Sequence, residues 1–115
     1  MTQYQESIHR IGPRLKGLSE AIPNVMKSFH GLHAAALADG ALSEKTKELI
    51  ALAIGVAARC EGCVAFHIQA LVRLGATRAE VEETLGVAIL MGGGPSAMWA
   101  TEALTAFDEF HRQKS

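Results

Sequence analysis

The stretch Ser43-Glu44-Lys45-Thr46-Lys47-Glu48-Leu49-Ile50-Ala51-Leu52-Ala53-Ile54-Gly55-Val56-Ala57-Ala58 decides the fold. Ser43 is a residue type that caps helix N-termini, and Glu44 in the first turn complements the helix dipole. Leu49, Ile50, Leu52, Ala53, Ile54 and Val56 then make the segment apolar nearly all round, which predicts a buried central helix. The apolar run from Leu49 to Ala58 is bounded by Glu48 and Arg59. It is about half of what a bilayer crossing needs, so no membrane span is expected.

Outward from this helix every strong periodicity is again helical, and no alternating strand pattern appears. An N-terminal helical stretch over residues 3–20 is expected to break at Gly12-Pro13, because proline cannot donate a helical hydrogen bond. Pro23 suits the first turn of a second helix running to about Ala38, ended by Asp39-Gly40. A short break near Arg59 to Gly62 starts a fourth helix that carries Cys63 and His67 and ends at Gly75. Thr77-Arg78-Ala79-Glu80 fits a capping box for a fifth helix, closed by Gly92-Gly93-Gly94-Pro95. A last helix runs from about Ser96 to Phe110, and residues 111–115 should fray. The fold class is all-α, a single bundle of about six helices.

The chain has 115 residues, of which 49% are hydrophobic and only 5% aromatic. Its core must therefore be aliphatic, with alanine contacts that let helices pack closely. At this size one domain forms a core but gains from association, so a homo-oligomer is expected. Phe66, Met98 and Trp99 are candidate contacts, and Met91 and Phe107 are expected in core or subunit contacts. A net charge of -1 with interspersed signs offers no field for a phosphate backbone or an anionic membrane. Nucleic acid and membrane are not expected partners. The segment Met1 to Glu6 has no basic stretch followed by an apolar one, which gives the expectation of a cytoplasmic protein.

The chemistry is concentrated in Cys60-Glu61-Gly62-Cys63-Val64-Ala65-Phe66-His67, with Glu48 twelve positions before the first cysteine. These are the only two cysteines, and at helical pitch positions 60, 63 and 67 fall within about 60° on one face. A thiolate is the reactive form of cysteine, and a helix start or an imidazolium brings thiols from about 8.5 into the range of about 3.5 to 7.5. Cysteines this close would close too small a loop to act as a structural staple. A carboxyl at Glu48, beside Leu49 and Leu52, suits proton transfer if buried, and the competing reading is a surface charge paired with Lys45 or Lys47. Cys60, Cys63 and His67, with Glu48 or a water as the fourth, also have the donor types of a zinc site. Structural zinc sites usually bring a second pair, and His30 and His33 lie on another helix with no evident reason to join and read as surface or crevice residues, so no metal is expected. The glycines at 92–94 lack the lysine and preceding strand of a phosphate loop.

Leu42-Ser43-Glu44-Lys45-Thr46-Lys47-Glu48-Leu49, the cysteine segment and Leu74-Gly75-Ala76-Thr77-Arg78-Ala79-Glu80-Val81 together resemble the carboxymuconolactone decarboxylase family, in its alkylhydroperoxidase D-like branch. The resemblance covers about residues 22–108, and its glutamate, eleven residues, Cys-x-x-Cys-x-x-x-His pattern is specific. It divides the chain into an N-terminal helical segment (1–21), the family-like helical domain (22–110) and a tail (111–115). It implies an all-helical subunit that assembles, often as trimers or hexamers, with peroxidase or disulfide reductase activity. By the resemblance Cys63 reacts with peroxide, Cys60 resolves it as a disulfide, and Glu48 and His67 relay protons. Two departures stand out: Gly62 replaces a histidine of the best-known members, and those chains are longer, with two related helical halves.

The sequence reading is thus a thiol-dependent antioxidant enzyme that cycles Cys60 and Cys63 between dithiol and disulfide to reduce a hydroperoxide or a partner disulfide. No bound cofactor is required, and an external dithiol must reset the pair. The rival readings are an acid-base enzyme of the lactone decarboxylase type using Glu48 and His67 on a small organic acid, and a non-enzymatic redox sensor. Proximity to the helix start favours Cys60 as the attacking sulfur, while a position one turn from His67 favours Cys63.

Overall fold

The computed structural model describes residues 1–114, and within them the chain is built from six α-helices: α1 (Gln3–Ala21), α2 (Pro23–Leu37), α3 (Glu44–Ala57), α4 (Glu61–Arg73), α5 (Arg78–Gly92) and α6 (Gly94–Lys114). Capping chemistry sets several of the boundaries. Ser43 Oγ accepts from Thr46 N–H, and Thr77 forms a capping box with Glu80. Gly75 adopts φ +80°, while Gly75 and Ala76 N–H donate to the carbonyls of Val72 and Leu71. That pattern closes α4 with a left-handed residue for which glycine carries no steric cost.

Helices α3, α4, α5 and α6 pack as the core bundle, with α1 lying across α4 and α6 and α2 projecting to one side against α1 and the edge of α3. Leu52, Val56, Val64, Ile68, Leu71, Val81 and Ala103 are sealed from solvent. Truncating one of the larger ones to alanine removes about 2–5 kcal/mol of stability. At the start of α1, Tyr4 N–H donates to buried Glu109 (2.8 Å) and the Tyr4 hydroxyl to Glu102 (2.7 Å). Burial and these carboxylates push the Tyr4 phenol above its ordinary range.

Three expectations are corrected. The break at Gly12-Pro13 does not occur, since Pro13 lies inside α1. Besides its clash with the carbonyl four residues back, proline clashes with the Cβ and N–H of the residue before it, and Gly12 has no Cβ. The single lost hydrogen bond falls to the carbonyl of His9, on an exposed residue. Nor does the tail fray at 111: α6 continues to Lys114, whose Nζ donates to the Val72 carbonyl (3.0 Å), and His111 stacks on Phe107. Ser115 lies outside the described residues. Finally, α3 is buried on one face only. Glu48, Leu52, Gly55 and Val56 face inward, while Ile50 and Ile54 are exposed.

Candidate active site

The two cysteines sit where α3 hands over to α4. At the end of α3, Arg59 N–H donates to the Val56 carbonyl and Cys60 N–H to the Gly55 carbonyl, with Arg59 at φ +58°. This is the two-bond helix stop normally made with glycine in the left-handed position, here made with arginine. It turns the chain so that Cys60 becomes the N-cap of α4. Its Sγ accepts the Cys63 N–H at 3.1 Å, and the two sulfurs are joined as a disulfide across a Cα–Cα distance of 5.2 Å.

Close packing of α3 on α4 holds Cys63. A Cβ added to Gly55 would lie 2.8 Å from Cβ of Cys63, so α3 approaches this point only because position 55 has no side chain. Nothing in the hydropathy pattern singled out Gly55. A glycine inside an otherwise strong helix former was the available signal, since it costs about 1 kcal/mol relative to alanine unless a contact requires it.

Between the cysteines, Glu61 anchors the start of α4 to α1. Its carboxylate accepts from Ser7 Oγ (2.6 Å) and Arg10 Nη2 (2.6 Å). These two bonds hold its carboxyl below the usual carboxylate range.

Glu48 is 2% exposed. The surface alternatives fall away because Lys45 pairs with Glu80 (2.9 Å) and Lys47 donates to the Ala38 carbonyl (2.6 Å). Its Oε2 instead lies 3.0 Å from Nδ1 of His67. With Glu48 as the acceptor, the imidazole presents its proton at Nδ1 and leaves Nε2 as the nitrogen able to exchange a proton.

Glu48, Cys60, Cys63 and His67 all line one cavity of about 520 Å³, the four candidate residues brought to one place. Its walls come from four helices and carry apolar side chains from three of them, with Ile11 and Leu15 on α1, Phe29 and Leu37 on α2, and Phe66 and Ala70 on α4. His30 and His33 are crevice residues as expected, but the expectation that they have no reason to meet the cysteine segment is corrected. Both line this cavity, and the ring of His33 stacks on that of His67 with centroids 6.4 Å apart and planes 11° from parallel. Their helix is distant in sequence from the cysteine segment, so no local spacing revealed the meeting. Among the described residues no group of three or more His, Cys, Asp and Glu side chains is arranged to hold a metal ion. No helix among them is long and apolar enough to cross a membrane.

A carboxymuconolactone decarboxylase family protein of Legionella pneumophila has a crystal structure that superposes with a TM-score of 0.92 at 50% identity, covering 95% of this chain and 97% of that one. A Thermotoga maritima protein of the same family, with a suggested link to an antioxidative response, superposes with a TM-score of 0.73 at 30% identity over 77% of this chain and 92% of that one. An uncharacterized Cupriavidus necator protein is 41% identical over 93% of this chain and 95% of its own length. A protein of the cox locus of Paracoccus denitrificans is 33% identical over 90% and 93%. With its six-helix fold and a family match extending over residues 23–106, the chain belongs to the carboxymuconolactone decarboxylase family.

Proposed function

We propose that the protein is a thiol-dependent antioxidant enzyme that reduces a hydroperoxide, or a partner disulfide, with Cys60 and Cys63. The observation that carries this reading is the disulfide at the start of α4 opening into the same cavity as the Glu48–His67 pair. The largely apolar walls suit an organic hydroperoxide. His67, oriented by Glu48, takes the thiol proton of Cys63. The thiolate attacks the peroxide, the O–O bond breaks, and a sulfenic acid forms with release of an alcohol. Cys60 then attacks that sulfur, forming the disulfide and releasing water. Cys60 is the sulfur within reach to resolve it, since the two Cα atoms lie 5.2 Å apart and the sulfurs are already bonded. An external dithiol returns both thiols by exchange, and no bound cofactor takes part.

The protein works as a homo-oligomer, a trimer or hexamer. Support comes from the apolar residues left in solvent on α2, α3, α5 and α6: Val25, Phe29, Leu32, Ile54, Leu90, Met91 and Met98.

A second reading draws on the Glu48–His67 bond itself, which supports acid-base chemistry on a small organic acid without the sulfurs. Thiol mass spectrometry before and after stoichiometric hydroperoxide tests the first reading, followed by a screen for the dithiol that restores the thiols. Oxidation of both cysteines to a disulfide with one alcohol released per chain is expected. Thiols that stay alkylatable would refute it, and an activity that survives Cys60→Ser and Cys63→Ser would establish the acid-base reading.

A further inference from the structure

We propose that His33 is the general acid of the peroxide half-reaction, donating a proton to the alkoxide oxygen that departs when Cys63 attacks an organic hydroperoxide. This rests on the peroxidase reading above. His33 belongs to α2, which forms the wall of the cysteine cavity opposite α4. No Cα of α2 comes within 8 Å of one of α4, and the cavity occupies the space between them. Across that space the His33 ring stacks on His67.

The argument is one of direction. Thiolate attack on an O–O bond is an in-line displacement, in which the sulfur, the attacked oxygen and the leaving oxygen lie close to one line. With the sulfur on α4, the leaving oxygen points across the cavity toward the α2 wall. His67 stands on the sulfur's own helix, one turn away, with Nδ1 engaged by Glu48 at 3.0 Å. It is placed to take the thiol proton on the near side. On the α2 wall Phe29 and Leu37 have no proton to give. The other ionisable groups facing the cavity are Glu44 and Glu48 from α3, Arg73 from α4 and His30 from α2. Ionised carboxylates only accept, and a guanidinium does not release its proton. Of the two histidines on the far wall, His33 is the one whose ring meets the catalytic imidazole. It is also exposed, so solvent can reprotonate it between turnovers.

The balance closes without another reagent. The S–O bond forms at Cys63 as the O–O bond breaks, the sulfur is oxidised to a sulfenic acid, and the peroxide is reduced to an alcohol. The electron pair leaves on the alkoxide, and its proton comes from the His33 imidazolium. The thiol proton taken by His67 returns to solvent, which recharges His33. The sum is one thiol and one hydroperoxide giving one sulfenic acid and one alcohol.

The test is single-turnover thiol oxidation of the full chain, wild type against His33→Asn and His33→Ala, with two oxidants that differ in leaving group. tert-Butyl hydroperoxide expels a strongly basic alkoxide that needs a proton; peracetic acid expels a carboxylate that does not. The expected loss is about 10²-fold with tert-butyl hydroperoxide and less than about threefold with peracetic acid. Added imidazole should restore part of the His33→Ala rate with tert-butyl hydroperoxide only. Melting curves matching wild type exclude misfolding. Equal losses with both oxidants, or no loss with tert-butyl hydroperoxide, would overturn the role of His33 while leaving the peroxidase reading intact. A wild type inert to both oxidants would overturn both.

Discussion

Gly55 on α3 and Cys63 on α4 touch so closely that a Cβ at position 55 would lie 2.8 Å from Cβ of Cys63. The cysteine pair is therefore positioned from behind as well as from its own helix start. Gly55→Ala must push α4 outward, since Cys63 Cβ is a fixed atom rather than the end of a flexible chain. Overpacking of this kind costs about 1–3 kcal/mol. Denaturant melts should show that loss together with slower disulfide closure, and a variant with unchanged stability and closure would remove Gly55 from the site.

Glu48→Gln separates chemistry from packing. The amide is isosteric and still accepts the His67 Nδ1–H, but it can no longer stabilise a charged imidazolium beside it. Loss of a charge-assisted hydrogen bond costs about 1.5–3 kcal/mol, whereas loss of the proton relay costs about 10²-fold in rate. Thiol oxidation should slow far more than the fold weakens. Normal kinetics with a large drop in melting temperature would make Glu48 a structural residue.

Much of this site was legible before its geometry was known. Ser43 and Thr77 announce their helices because a capping side chain acts on N–H groups two or three residues away, within the reach of local sequence. The relation of Glu48 to His67 was implied by the family resemblance, while spacing alone left Glu48 open to a surface-charge reading. What escaped was non-local or exceptional. His33 meets His67 through the packing of separate helices, and although a break near Arg59 to Gly62 was expected and found, its left-handed turn falls on an arginine where glycine is usual. Pro13 misled because the rule against internal prolines is a cost, and Gly12 lowers it. The exposed face of α3 was hidden for another reason: hydrophobic periodicity reports what seeks burial, whether a helix of the same chain or another molecule supplies it.

Single cysteine variants distinguish the two sulfurs. If Cys63 attacks and Cys60 resolves, Cys60→Ser exposed to one equivalent of hydroperoxide should accumulate a sulfenic acid at Cys63 that dimedone traps. Cys63→Ser should react slowly and yield no trapped adduct at a comparable rate. The opposite labelling pattern would exchange the roles and make the N-cap sulfur the nucleophile.

Glu61 predicts an acid-side weakness between α1 and α4. Its folded carboxyl is held below its ordinary value of 4.5, first by Ser7 and then by Arg10. A carboxyl lowered on folding stabilises fully above its unfolded value, and that contribution disappears as pH falls through the lower folded value. Wild type should therefore lose stability on acidification below about pH 4.5, and Ser7→Ala should lose less over the same interval because part of the contribution is already gone. Equal acid slopes in the two proteins would show that the Ser7 bond does not couple to folding.

The outer face of α3 predicts where subunits meet. Ile50 and Ile54 with Val87 and Met91 of α5 border a groove of about 580 Å³, and Ile54 is 65% and Met91 79% exposed. Trp99, by contrast, packs partly buried against the core, so a charge there would damage the fold before it reported on assembly. Ile54→Glu and Met91→Lys avoid that ambiguity because both side chains already stand in solvent in the single subunit. If this face is buried between subunits, either charge loses a central apolar contact worth about 2 kcal/mol or more, which weakens association about 30-fold. Light scattering at micromolar concentration should find the wild type assembled and both variants dissociated with unchanged helix content. A monodisperse wild-type monomer, or variants that assemble as before, would sink this assignment of the face.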